Sequence, residues 1–128
     1  MPDPIMADLT TRTLTAALDG TALQQRLAAT NLANLETPGY CARRASFEDE
    51  LRGALRAERQ DGRSGAVASA PARVALTADA PRADGNNVSI EAEMTGLAEA
   101  GARYEVLTRL LDKHLAMIGV AIGDGRSA

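Results

Sequence analysis

Only a few side chains in this 128-residue sequence could carry covalent chemistry. Cys41 is the only cysteine and His114 is the only histidine. A cysteine nucleophile needs a base that activates its thiol, so a Cys41–His114 pair is formally conceivable. Neither residue lies in a sequence context that supports this chemistry. A single cysteine also excludes an intrachain disulfide and a metal site built from cysteines.

Two segments with acidic residues are further candidate sites, one for acid–base catalysis and one for calcium binding. The run Phe47-Glu48-Asp49-Glu50-Leu51 offers paired carboxylates. No surrounding pattern supplies a pocket for acid–base catalysis, so we interpret the run as a solvated face. The segment Asp84-Gly85-Asn86-Asn87 is similar to the end of a calcium loop, but its first ligand positions would be Ala80 and Arg82, which cannot bind calcium. No glycine-rich phosphate loop is present, and the sequence predicts no enzyme, no metal site and no cofactor.

The composition predicts one modest domain with a small core. The aromatic residues are Tyr40, Phe47 and Tyr104. Alanine is abundant, and it favours helix while burying little apolar surface. Much of the stability is therefore expected to come from neighbouring molecules. The net charge is −3 with acids and bases mixed along the chain, which argues against binding to nucleic acid.

Hydropathy predicts no direct membrane span. The most apolar segment, residues 106–122, is interrupted by Arg109, Asp112, Lys113 and His114. Residues 1–7 lack a basic leader, an apolar run and a cleavage pattern, so no cleavable signal peptide is expected. A cytoplasmic protein and a protein exported by a dedicated secretion machine both fit this pattern.

The first element is a predicted helix over residues 6–35. Its leucines recur at spacings of four or five residues, which gives a broad apolar stripe. Gly20 interrupts this stripe and could mark a bend or an early end. The leucines concerned are Leu9, Leu14, Leu18, Leu23, Leu27 and Leu32.

A sharp turn is predicted to follow this helix. Asn34 suits a helix C-terminus because asparagine tolerates the left-handed conformation. Thr37 precedes a proline and is pushed out of the helical region. Pro38 presets φ and Gly39 supplies a positive φ, so residues 37–40 predict a type II turn with Tyr40 just after the reversal.

The middle of the chain predicts weaker structure. Residues 46–58 favour a short second helix with Ser46 as its N-cap. Glycines and prolines break residues 59–87, which we interpret as a mobile loop with one weak hairpin. The segment Arg73 to Thr77 and the surroundings of Val67 are the candidate strands.

The C-terminal segment carries the strongest periodic signal. Apolar positions alternate spacings of four and three residues, which is typical of a coiled-coil seam. Ser89 is the predicted cap and residues 123–125 the predicted end. We predict domain limits at residues 1–36, 37–87 and 88–128, with both ends forming one structural domain. The seam comprises Ile90, Met94, Leu97, Gly101, Tyr104, Thr108, Leu111, Leu115, Ile118 and Ile122.

Two segments of the sequence resemble the axial proteins of the bacterial flagellum. The first is the pattern Asn-x-x-Asn-x-x-Thr-Pro-Gly-Tyr after an N-terminal helix, and the second runs from Asp84 through Glu93 and Met94 to Tyr104. The short length and the ending at residues 121–126 are similar to a proximal rod protein. Cys41 departs from the basic residue common at its position. The pattern comprises Asn31, Ala33, Asn34, Thr37, Pro38, Gly39 and Tyr40.

This resemblance implies a mainly α fold in which the N- and C-terminal helices pair as an antiparallel-type coiled coil. It implies a structural subunit of the flagellar basal body in the periplasmic rod, transmitting torque. The implied partners are copies of the chain, other rod proteins, membrane-ring and rod-adaptor proteins, and the flagellar export apparatus. Another flagellar axial subunit and a cytoplasmic coiled-coil adaptor are the alternatives.

Overall fold

A computed structural model describes residues 4–126 of the chain. Two long helices pack against each other, and a short helix and a two-stranded sheet lie between them in sequence. The predicted mainly α fold is therefore confirmed. The elements in chain order are α1 (Pro4–Ala33), β1 (Arg43–Ser46), α2 (Glu48–Asp61), β2 (Arg73–Leu76) and α3 (Ile90–Arg126).

The two long helices run antiparallel along most of their length. At one end the His114 ring nitrogen Nε2 lies 2.9 Å from the carbonyl oxygen of Ala7. At the other end Asn31 Nδ2 donates to Glu93 Oε2 over 3.1 Å. Residues near the start of α1 therefore meet residues near the end of α3, as the predicted pairing of the chain ends requires.

Gly20 does not end α1, which runs through it without a break. The residue is buried, and a Cβ atom there would lie 2.4 Å from the ring of Phe47. The glycine leaves room for this aromatic ring against the helix backbone. The early end was wrong because a local pattern does not show which distant side chain needs the space.

The turn after α1 is confirmed, but Asn34 is not left-handed. Tyr40 N donates to Thr37 O over 3.2 Å, and Gly39 has φ of 72°. Among residues 4–126 no residue other than glycine has a positive φ. Asn34 instead donates from Nδ2 to the carbonyl of Thr30 over 2.8 Å, and this carbonyl at the helix end also accepts the backbone N–H of Asn34 over 3.2 Å.

The second helix begins later than predicted. Ser46 belongs to β1, and the N-cap is Phe47, whose side chain forms no capping bond. The carboxylate of Glu48 accepts the backbone N–H of Phe47 over 3.1 Å and so takes over part of the capping role. Glu50 pairs with Arg73 over 2.6 Å. The acidic run is thus a surface whose carboxylates are partly engaged.

The weak hairpin predicted within residues 59–87 is replaced by a non-local pairing. β2 pairs antiparallel with β1, with Arg43 opposite Leu76 and Ser46 opposite Arg73. Val67 lies in a turn rather than a strand and is buried. The local sequence pattern predicted the strand at residues 73–76 correctly. It could not reveal that the partner strand, β1, lies before α2 in the sequence.

The side of α3 that packs against α1 shares only part of the predicted seam. Leu97, Leu111 and Ile118 are half-buried, as residues of that side should be. The other less exposed positions each lie one residue before a predicted position: Glu93, Ala100, Leu107, His114 and Ala121. Six predicted seam residues are exposed: Ile90, Met94, Tyr104, Thr108, Leu115 and Ile122.

This difference arises because α3 is apolar on more than one side. Several rows of apolar residues on α3 then match the heptad spacing, and the spacing alone does not determine which row faces α1. His114, interpreted as a rim residue, belongs to the packed side. Gly101 is half-buried against the side chain of Gln25, not against another backbone.

The helix boundaries of α3 agree with prediction at the start and differ at the end. Ala92 N donates to Ser89 Oγ over 3.3 Å, which confirms Ser89 as the cap. At the other end the helix continues through residues 123–125 to Arg126. A long helix that is already propagating can include glycine at a cost of about 1 kcal/mol per residue.

Small side chains dominate the buried interior. In the part of the chain that the structure describes, the buried apolar residues besides Phe47 are aliphatic, and three of them are alanines. Among residues 4–126, no helix combines the length and the apolar character needed to cross a bilayer. The buried apolar residues are Leu9, Ala28, Ala42, Phe47, Val67, Val88 and Ala100.

Candidate functional site

The candidate site is the junction, by which we mean residues 31–43 and 82–93 at one end of the helix pair. Asn31 lies at its centre and is fully buried. Its Oδ1 accepts the hydroxyl of Tyr40 over 3.1 Å and the backbone N–H of Arg43 over 3.0 Å. Its Nδ2 donates to Arg43 O over 2.8 Å and to Glu93 Oε2 over 3.1 Å. The amide therefore uses both of its donors and both acceptor positions.

Glu93 extends this network towards β1. Its side chain is almost fully buried, and Oε1 has no hydrogen bond. The guanidinium of Arg44 lies 3.6 Å from Oε1 and 3.7 Å from a carboxylate oxygen of Asp79. This nearby positive charge compensates part of the cost of burying a carboxylate beside α1.

Asn86 connects the turn after α1 to the start of α3. It is fully buried, and its Nδ2 donates to the carbonyls of Asn34 and Thr37, each over 2.8 Å. Its Oδ1 accepts the backbone N–H of Val88 over 2.8 Å. Two carbonyls at the end of α1 and in the turn are thus held by one side chain from the segment that precedes α3.

Asn87 holds the strand-side segments in the same way. Its Oδ1 accepts the N–H of Ala42 over 2.7 Å, and its Nδ2 donates to Thr77 Oγ1 over 3.0 Å and to Asp79 O over 3.2 Å. Its own N–H donates to Tyr40 O over 3.2 Å. Because Asn86 and Asn87 are consecutive, they fix the turn and the strand relative to each other.

Arg82 and two glycines complete the junction. The Arg82 guanidinium donates to Leu35 O and Val88 O, each over 2.6 Å, so a positive charge lies at the C-terminal end of α1 where the helix dipole favours it. Gly39 N donates to Asp84 O over 2.9 Å. A Cβ on Gly85, which has φ of 83°, would lie 3.3 Å from the Cα of Gly39. The two turns therefore approach each other closely.

The structure brings most of the predicted motif together. Asn31, Asn34, Thr37, Gly39 and Tyr40 all bond within the junction, whereas Ala33 and Pro38 are exposed. The prediction did not include Arg82, which belongs to the junction, or Thr77, which bonds Asn87 from outside it. No local pattern marks either of them, since both act through partners distant in sequence.

The residues considered for catalysis are far apart. Cys41 lies at the junction, where its Sγ is 3.7 Å from Thr77 O and 3.4 Å from Asn87 Nδ2. His114 lies beside Ala7, which is 24 residues before Asn31 on α1. At 1.5 Å per residue the two groups are separated by roughly 36 Å, so they form no nucleophilic pair. Within the described part of the chain, no three His, Cys, Asp or Glu side chains form a group that could hold a metal ion.

Two carboxylates away from the junction are stabilised in their charged form. Burial of Glu58 disfavours its charge, but hydrogen bonds from Arg12 at 2.9 and 3.0 Å and from the N–H of Val67 outweigh it and lower the pKa of Glu58. Burial of Glu48 acts in the same direction and is outweighed by the backbone N–H of Phe47 and by Gln24, so the pKa of Glu48 is also lowered. The bonds from Arg12 and Gln24 attach α2 to α1.

The fold and the junction together define a class of protein. Two long helices from the ends of one chain are joined at one end by a polar network, and the amides of this network bond to the chain itself rather than lining a catalytic pocket. This is the arrangement expected of a structural axial protein of the flagellum.

Comparison with known proteins identifies the family within that class. The flagellar basal body rod protein FlgB of Salmonella typhimurium is 32% identical over 115 residues, which cover 77% of this chain and 82% of the relative. FlgB of Borrelia hermsii is 28% identical over 120 residues, 82% of this chain and 89% of the relative. FlgB of Bacillus subtilis is 26% identical over 123 residues, 91% of this chain and 95% of the relative. No protein-family model matches the chain. The chain belongs to the FlgB family of flagellar basal body rod proteins.

Proposed function

We propose that this chain is a structural subunit of the proximal rod of the bacterial flagellar basal body. Family membership supports the rod assignment. The structural observation that carries it is the junction, in which Asn31 and Asn86 bond both ends of the chain into one unit. The role is structural rather than enzymatic, and its location is the periplasmic part of the basal body.

The subunit assembles with copies of itself and with other rod proteins, and it meets the membrane-ring and rod-adaptor proteins and the export apparatus. The exposed residues of the predicted seam support assembly. Met94 is 56% exposed, Leu115 47% and Ile122 60%. Large apolar side chains clustered along one helix are typical of surfaces that another protein covers.

The mechanism is mechanical. Repeated contacts between unlike surfaces of neighbouring subunits generate an open helical array, which can pass torque from the membrane ring to the distal rod. Each subunit must resist separation of its two helices under this load. The buried hydrogen bonds of Asn31, Asn86 and Asn87 oppose such separation because breaking them leaves polar groups unsatisfied in the interior.

A localisation experiment tests this function. Cells that lack the gene for this chain would receive an epitope-tagged copy, and basal bodies would be purified from them. We expect the tag in the basal-body fraction and restored swimming. Restored swimming with the tag confined to the cytoplasm would contradict the rod assignment and favour an adaptor.

A further inference from the structure

α3 carries a second apolar stripe that was not part of the predicted seam. Its side chains are exposed: Val106 by 55%, Leu110 by 48%, Met117 by 55% and Val120 by 65%. Each lies one residue before a position on the α1-facing side, which places it about 100° around the helix from that side. We call Val106, Leu110, Lys113, Met117 and Val120 the outer stripe.

The spacing of the outer stripe indicates what covers it. Its members follow one another at intervals of four, three, four and three residues. That spacing forms a nearly straight row which a single helix running alongside can cover. The row extends over fourteen residue steps, roughly 21 Å of helix.

α1 presents a face that suits such a contact. Its side away from α2 and α3 carries mostly small side chains, which allow another helix to approach closely. Thr15, Asp19, Arg26 and Ala29 on this face are exposed. We call this side the outer face of α1; its residues are Asp8, Thr11, Thr15, Asp19, Ala22, Arg26 and Ala29.

The charges of the two surfaces are complementary. Lys113 lies at the middle of the outer stripe, and within residues 4–126 its side chain forms no hydrogen bond or ion pair. On the outer face of α1, Asp8 is paired with Arg12, whereas the carboxylate of Asp19 has no partner within the same residues. Arg26 on the same face also has no side-chain partner within these residues, but it lies seven residues from Asp19, roughly 10 Å along the helix. One unpaired cation of the outer stripe and one unpaired anion of the outer face of α1 thus lie near the centres of the two surfaces.

We propose that the outer stripe of one copy packs on the outer face of α1 of the next copy, with Lys113 paired to Asp19 across the contact. The two surfaces are different and lie on opposite helices of the pair, so the contact is heterologous and can repeat along an open array. This inference rests on the proposed function and specifies which surfaces of neighbouring copies meet.

A charge exchange tests the contact. Self-association of the purified full-length chain would be measured by sedimentation velocity over a concentration series. Lys113→Glu and Asp19→Lys each place like charges opposite one another and should weaken association roughly three- to tenfold. An equimolar mixture of the two variants should regain the wild-type association, because the carboxylate introduced on α3 of one variant then faces the ammonium group introduced on α1 of the other.

Leu110→Asp should weaken association more than about thirtyfold, because it removes apolar contact and buries an unpaired carboxylate.

Asp112→Lys is the matched control, since Asp112 is exposed on α3 outside the outer stripe and should leave association unchanged. Far-ultraviolet circular dichroism must show that every variant is folded. Absence of wild-type self-association, unchanged association of the single variants, or a mixture no stronger than its components would each overturn the contact. A tagged chain missing from basal bodies would instead contradict the proposed function and would leave the solution result standing.

Discussion

At the scale of single residues, the junction depends on side chains that both donate and accept hydrogen bonds. Asn31 forms four hydrogen bonds with three residues, Tyr40, Arg43 and Glu93. An aspartate of similar shape could not donate, and a leucine could neither donate nor accept. The residue type is therefore determined by the geometry of its partners.

Removing this amide should be costly. We expect Asn31→Ala to lower the free energy of unfolding by about 2–4 kcal/mol, because the backbone of Arg43 and the carboxylate of Glu93 lose a buried partner. Tyr40→Phe is the matched control and should cost about 0.5–1.5 kcal/mol, since Asn31 Oδ1 keeps its bond to Arg43 N. Urea unfolding followed by circular dichroism measures both. Equal costs for the two variants would contradict the central position of Asn31.

The pair Arg12–Glu58 predicts a dependence of stability on pH. The folded-state pKa of Glu58 lies below its unfolded value, so its contribution is present above the unfolded pKa and is lost as pH falls through the folded pKa. The stability difference between wild type and Glu58→Gln should therefore be present at neutral pH and shrink below about pH 4.3. Tm measured against pH tests this. A difference that stays constant on acidification would show that the ion pair does not stabilise the fold.

The residues of the site were partly predictable. The asparagines, the turn and Tyr40 are recognisable because the turn requires proline and glycine at adjacent positions and the motif is continuous in sequence. Arg82 was not recognisable, since its role is to bond Leu35 O, 47 residues away. Contacts across such separations are decided by tertiary packing and leave no local pattern.

At the scale of elements, helices were predicted better than strands. α1 and α3 were found because long periodic segments give a strong signal. The pairing of β1 with β2 encloses α2, and no local signal connects the two strands. The α1-facing side of α3 was only half predicted, since in its other half Leu107 is the one large apolar residue among Glu93, His114 and two alanines. The predicted domain limits remain a prediction, and their outermost residues, 1–3 and 127–128, lie outside the described part of the chain.

Gly20 provides a test at this scale. Gly20→Ala should destabilise the chain by about 1–3 kcal/mol, despite the better helix propensity of alanine, because its Cβ would overlap the ring of Phe47. Gly96→Ala in α3 is the control. It meets no atom within 4 Å and should stabilise the chain by about 0.5–1 kcal/mol. Urea unfolding would measure both variants, and a stabilising Gly20→Ala would disprove the close contact with Phe47.

At the scale of the whole molecule, the chain combines a strong junction with a weakly covered helix pair. Polar networks hold the end near Asn31, whereas the opposite end of α3 exposes apolar residues on two sides. A helix that is apolar on several sides is stable in water only when neighbours cover it. This distribution fits a subunit that completes its packing within an assembly.

Electron microscopy of basal bodies from cells that carry Leu111→Asp tests the central claim most directly. Leu111 is half-buried on the α1-facing side, and losing a leucine from a packed contact costs roughly 2–5 kcal/mol, to which an unpaired carboxylate adds. Glu99→Lys, at an exposed position of the same helix, should cost within about 0.5 kcal/mol. We predict that Leu111→Asp cells secrete the subunit but build no rod, while Glu99→Lys cells build rods and swim. Intact rods in Leu111→Asp cells would contradict a rod subunit held together by its paired terminal helices.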